Sequence, residues 1–314
     1  MLSDLLTHWA VFEDCRRLAQ FDARIDPLFA RLIHDEREFA RLGALTRGGN
    51  RWVPEILTKA RSVWAEGEGT AESGRKIAFA LGGITHYAAD ITLKPLMSEV
   101  AQADWNASHS VMQGHAPVEG EHQNPTSIRE VSAYYDIKVF REVYLSGQEE
   151  PFNAFLTAAN VTEPGQALEE FIRSLFQRAL LSCHTLDPDR DDIEGWLDRL
   201  FGRVQPLYID IDLYVRVAAA PDAAKMQRYR VETEFYVASD PVIAAARAIQ
   251  RGTPPAQAQI DAALALAGDA NRGGYGRSVA LGIRRLREAS AFWRGEVSGT
   301  PDLKQSVRWK PSTS

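Results

Sequence analysis

The sequence predicts an all-α protein, a multi-helix bundle. Apolar residues recur with helical spacing through most of the 314 residues, and period-two alternation bounded by turn residues is scarce. The composition, 45% apolar and 25% charged, is that of an ordinary globular chain, which excludes a disordered or fibrous protein.

Taken in order, the apolar periodicity predicts a first helix over 4–20. A stripe of Ile25, Leu28, Phe29, Leu32 and Ile33 follows and is continued by Phe39 and Leu42; Gly43 stands where a C-terminal cap is expected. Thr46-Arg47-Gly48-Gly49-Asn50-Arg51 reads as a loop before a helix over 54–66. The next helix, 74–93, is apolar nearly all round, which implies burial on several sides. Residues 104–127, rich in Ser, Asn, Gly, Pro and His, read as a long loop of the kind that binds ligands or moves. Further helices are expected over 128–146, 151–160, 166–184, 191–204, 207–219, 222–237, 240–251, 256–267 and 277–293. Residues 208–216 alternate well enough to allow a strand instead.

The connections also have readings. Asp187–Gly195 spaces its acidic residues like a calcium loop but has Asp192 where the turn needs Gly and Asp198 where a bidentate Glu is needed; helix capping explains it better. Gly252-Thr253-Pro254-Pro255 is a turn. Gly273-Gly274-Tyr275-Gly276-Arg277-Ser278 reads as a flexible helix–helix connection, because no strand precedes it to form a nucleotide loop. Residues 1–145 are taken as a core, 146–300 as added helices packed on the same domain, and 301–314 as a polar tail.

Charge and cysteine content limit the function classes. A net charge of −6 provides no positive field to gather a nucleic-acid backbone. Cys15 and Cys183, the two cysteines, suit free thiols in a reducing compartment. No stretch approaches the roughly 18 apolar residues of a membrane span. The expectation is a cytoplasmic protein without a transmembrane segment. Oligomeric state is not legible.

Six of the seven histidines, His8, His34, His86, His109, His115 and His122, fall in the first 122 residues. His34 lies in a charged, solvated stretch. His86 and Asp90 are four apart on the apolar helix and share a face. A carboxylate there must be paired, hydrogen-bonded or metal-bound. Gly82, Gly83, Ala88 and Ala89 remove bulk around the pair and let other helices approach. Imidazole and carboxylate at this spacing suit zinc without straining the backbone; a His–Asp hydrogen bond that locks two helices is the structural alternative.

Thr7-His8, Phe39-Ala40-Arg41-Leu42-Gly43-Ala44-Leu45, His86-Tyr87-Ala88-Ala89-Asp90 ahead of Pro95-Leu96, and Arg129-Glu130-Val131 before Asp136 occur in the order found in the zinc-dependent phospholipase C family. Over residues 1–145 the chain resembles that family. The resemblance implies an all-α fold and hydrolysis of a phosphate ester by zinc-activated water. It aligns His8, His86 and Asp90 with metal ligands and Asp136 with the acidic residue of the family's last helix, and His122 with Glu130 can replace ligands that the chain lacks. The family's loop carboxylate has no counterpart in Thr46-Arg47-Gly48, no His stands between 34 and 86, and Lys94, Leu96, Ile128 and Ser132 replace other ligand positions, so one or two ions are expected rather than a full cluster. His109, or His115 with Glu119, are further candidates to complete the site. Asp90 would orient the nucleophile, and Lys94 or Arg47 would stabilise charge on the phosphate. The expected partner is a small phosphate ester or a phospholipid head group. The rival expectation is a non-catalytic or repurposed helical protein with a degenerate metal site.

Overall fold

The computed structural model describes residues 5–46, 49–67, 69–113, 125–145, 213–265 and 272–304, and the regular elements among them are all helical. In chain order they are α1 (Leu5–Ala19), α2 (Pro27–Asp35), α3 (Arg37–Leu45), α4 (Gly49–Ala65), α5 (Ala71–Gln113) and α6 (Pro125–Val139), the last running into a π-helical turn over Phe140–Leu145. A helical stretch over 213–219 precedes α7 (Ala223–Arg228), a second π-helical turn over Val231–Phe235, α8 (Pro241–Gln250), α9 (Gln257–Ala265) and α10 (Gly274–Arg294).

Helix α5 organises the core, with α1, α2, α3, α4, α6 and α10 all packed against it. Its all-round apolar sequence explains this: Ile77, Leu81, Ile84, Ala89 and Leu93 are fully buried on different sides of one helix. The contact with α3 is made backbone to backbone. A Cβ on Gly43 would sit 1.9 Å from the Phe79 carbonyl oxygen, and one on Gly82 would sit 1.8 Å from that of Ala40. Gly43 is therefore inside α3 rather than a cap, held there by a close approach that any side chain would block.

Other expectations shift for identifiable reasons. The stripe from 25 to 42 is two helices divided at Glu36, with Asp26 capping the first by accepting from the Leu28 amide at 2.9 Å. The helix expected to end before Pro95 continues through it to Gln113, so the first part of the expected 104–127 loop is helical. Proline removes one intrahelical bond, and packing on both flanks of α5 offsets that loss. Residues 213–219 are helical, in keeping with the helix expected over 207–219 and not with the strand alternative. The helix expected over 222–237 is broken after Arg228 and resumes as a π-helical turn from Val231, preceded by Arg230 with φ of 52°. Gly274, Tyr275 and Gly276 are buried residues of α10, so the expected flexible connection is the start of a helix. The helices expected over 151–160, 166–184 and 191–204 lie outside the described residues, as does Cys183. Cys15 is a buried free thiol whose titration burial pushes upward. Among the described residues no helix is long and apolar enough to cross a membrane.

Candidate metal centre

Three side chains from two helices meet beside the α3–α5 contact. His86 and Asp90 stand one turn apart on α5, and His8 approaches from α1. The Nε2 of His8 lies 3.3 Å from Asp90 Oδ1, and the Nε2 of His86 lies 3.4 Å from Asp90 Oδ2. The two imidazole rings face each other with centroids 4.4 Å apart and planes inclined by 30°. One potential ligand atom from each residue falls within 4.8 Å of the others. Both histidines are buried, while the Asp90 side chain is 16% exposed and opens the group toward solvent.

The His86 ring is held by its far nitrogen. Nδ1 is 2.8 Å from the carbonyl oxygen of Ala44, and since a carbonyl can only accept, Nδ1 carries the proton. In the neutral ring Nε2 then presents a lone pair toward Asp90. That atom is buried and has no hydrogen-bond partner. An outward N–H anchored on a carbonyl and an inward lone pair is the arrangement that metal-ligating histidines adopt. Burial, followed by the neighbouring His8, depresses the His86 imidazole below its ordinary range and favours the neutral form that a metal requires. Burial opposes ionisation of Asp90, yet hydrogen bonding, first of all from His8, outweighs it and holds the carboxyl far below the usual carboxylate range. Lys94, the next turn of α5, also ion-pairs with Asp90 Oδ2, and its own side chain is 55% exposed.

The remaining sequence candidates are placed elsewhere. Asp136 is fully buried and accepts from the Leu6 amide at 3.1 Å, the Thr7 amide at 2.8 Å, the Thr7 hydroxyl at 2.5 Å and the Tyr214 hydroxyl at 2.9 Å. It closes the first turn of α1, where free amides and the helix dipole favour a negative charge, and so positions His8 without joining the metal group. Glu130 pairs with Lys225 at 2.5 Å and accepts from the Tyr229 hydroxyl at 2.9 Å. Its role is to tie α6 to α7. His34 is engaged with Gln20 at 2.7 Å and Arg16 at 3.3 Å. Arg47, His115, Glu119 and His122 lie outside the described residues, as does the side chain of His109. Trp52 packs with its ring centroid 4.6 Å from that of Phe79 and covers Gly83.

Sequence reasoning missed the Ala44 carbonyl, because a main-chain acceptor has no residue signature. The available signal was Gly82-Gly83 just ahead of His86, which lets another backbone approach there. No family model, curated protein or solved structure matches the chain.

Proposed function

We propose that the protein is a metal-dependent hydrolase of phosphate esters, with zinc held by His8, His86 and Asp90. The observation that carries this reading is the buried, unpartnered Nε2 of His86, aimed at a carboxylate and flanked by a second imidazole. Two neutral nitrogens and one carboxylate form a donor set suited to a catalytic zinc site, which keeps an open position for water or substrate. When bound, the ion supplies Lewis acidity and a water of lowered pKa.

The chain's own residues contribute the rest. Asp136 fixes the first turn of α1 and with it His8. Ala44 fixes the tautomer of His86. Asp90 has one oxygen near each imidazole, so it can accept a hydrogen bond from a water and orient that water toward substrate. Lys94, at the exposed side of the group, offers positive charge to a phosphate oxygen. With Glu130 and Asp136 engaged elsewhere, these three ligands support one ion rather than two.

That same engagement favours a second reading, in which the His86–Asp90 pair serves packing in a helical protein that has lost catalysis. Metal analysis after purification without added metal separates the two. Stoichiometric zinc, lost in His86→Ala and Asp90→Asn variants that still melt cooperatively, together with zinc-dependent hydrolysis of nitrophenyl phosphates, supports the hydrolase. A metal-free chain whose melting is indifferent to chelator and to added zinc defeats it.

A further inference from the structure

Asp90 Oδ2 has two claimants. It faces His86 Nε2 at 3.4 Å and is ion-paired with the Lys94 ammonium. An ion that binds Asp90 through the oxygen facing His86 competes with Lys94 for it, while the other carboxylate oxygen lies beside His8.

The charges sharpen this competition. Metal-ligating histidines are neutral, so the Asp90 carboxylate and the Lys94 ammonium cancel. A divalent ion added to this group leaves two uncompensated positive charges in a site whose histidines are 4% and 5% exposed. Among the described residues no second carboxylate joins the ligand atoms. Partly buried charge of one sign is costly unless it is paired. A phosphate ligand can supply the missing negative charge, and it has a defined entrance. Lys94 and Asp90 are the exposed members of the group, so an anion arriving from solvent meets the ammonium first.

Resting on the zinc reading above, we propose that Lys94 couples metal loading to anion binding. The ion takes the Asp90 oxygen, and the released ammonium joins the ion in holding a dianionic phosphate group, the charge of a phosphomonoester. Metal and phosphate then raise each other's affinity by the same factor, as linkage requires. A phosphodiester monoanion neutralises only half of the excess and binds with less coupling. Lys94 is thus a specificity-determining residue for phosphate charge as well as a brake on metal binding when phosphate is absent.

Zinc affinity measured by competition with a chromophoric chelator, at nanomolar free zinc, tests this on the full chain. The titration is repeated with inorganic phosphate, glycerol 3-phosphate, dimethyl phosphate, and phosphatidylcholine vesicles with and without phosphatidic acid. The expected result is zinc binding tightened on the order of tenfold by the dianions, within the ordinary range of site coupling, and less by dimethyl phosphate. Tightening by the soluble dianions alone assigns a small phosphate, and tightening by phosphatidic acid vesicles assigns a lipid head group. Lys94→Gln is expected to bind zinc more tightly than wild type without phosphate and to show weaker coupling; Lys94→Arg keeps it in full. Zinc binding that is indifferent to every dianion, or coupling undiminished in Lys94→Gln, overturns the proposal and leaves the metal site standing. No zinc binding in any arm overturns both.

Discussion

The Nδ1 of His86 donates to the carbonyl oxygen of Ala44 across 2.8 Å, joining α5 to the last turn of α3 through the ring that faces Asp90. This bond depends on the glycine contact between the same two helices. In Gly82→Ala the new Cβ meets the Ala40 carbonyl at 1.8 Å, and backbone cannot yield as a flexible side chain does. The helices must separate and take Ala44 from His86. We expect a destabilisation of about 1–3 kcal/mol in urea unfolding, as for other overpacked sites. A loss of zinc affinity of roughly 10–100-fold accompanies it, as when an outer partner of a metal-bound histidine is removed. A variant of unchanged zinc affinity would show that the Ala44 contact does not govern the ligand.

Asp136 gives a second discriminating variant. Its carboxylate receives two amides and a hydroxyl from the start of α1 and a hydroxyl from Tyr214. Asp136→Asn removes the charge that opposes the helix dipole and leaves one acceptor oxygen for four donors. The expected cost is about 2 kcal/mol of stability, from the dipole and the buried hydrogen bonds together. Zinc stoichiometry at saturation should be unchanged, with affinity falling only because His8 is less firmly placed. Loss of bound zinc with stability intact would make Asp136 a ligand instead.

Asp136 also shows how much of the site was legible. The resemblance put it in line with a metal ligand, but its partners are set by the N-terminus of α1, about 130 positions away in sequence, and no local pattern contains that information. The His86–Asp90 pair, by contrast, follows from helical spacing alone. The same division runs through the fold. The bounds of α1, α8 and α9 follow closely from local apolar periodicity and from caps such as Asp240, which accepts from the Val242 amide. The continuation of α5 through Pro95 and the placement of Gly43 inside α3 do not, because both are tertiary effects that override local propensity. Lys94 was legible as a cation near the pair, whereas its attachment to one oxygen of Asp90 required the geometry.

The last prediction concerns a charge cluster that sequence reading did not single out. Glu13, fully buried on α1, accepts from Arg16 at 3.0 Å, from Arg37 at 2.9 and 2.7 Å, and from Arg41 at 2.8 Å. Burial acts to raise its pKa, but Arg37, Arg41 and Arg16 outweigh it and hold the carboxyl well below the ordinary glutamate range. With a folded value below an unfolded one of about 4.3, the unfolded chain binds the proton first as pH falls. The stabilisation is therefore complete above about pH 4.3 and is lost as pH drops through the folded value. Glu13→Gln leaves three guanidinium groups around a neutral side chain, and we expect a cost of about 3–5 kcal/mol at pH 7. Urea unfolding at a series of pH values should show the wild-type advantage shrinking only below about pH 4.3, where the unfolded carboxyl begins to take up its proton. Arg37→Lys, which keeps the charge but not the paired hydrogen bonds to Glu13, should fold with a smaller loss and the same direction of pH dependence. A wild-type advantage that stays constant through the acid range would mean that α1, and with it His8, is held to α3 by packing rather than by this carboxylate.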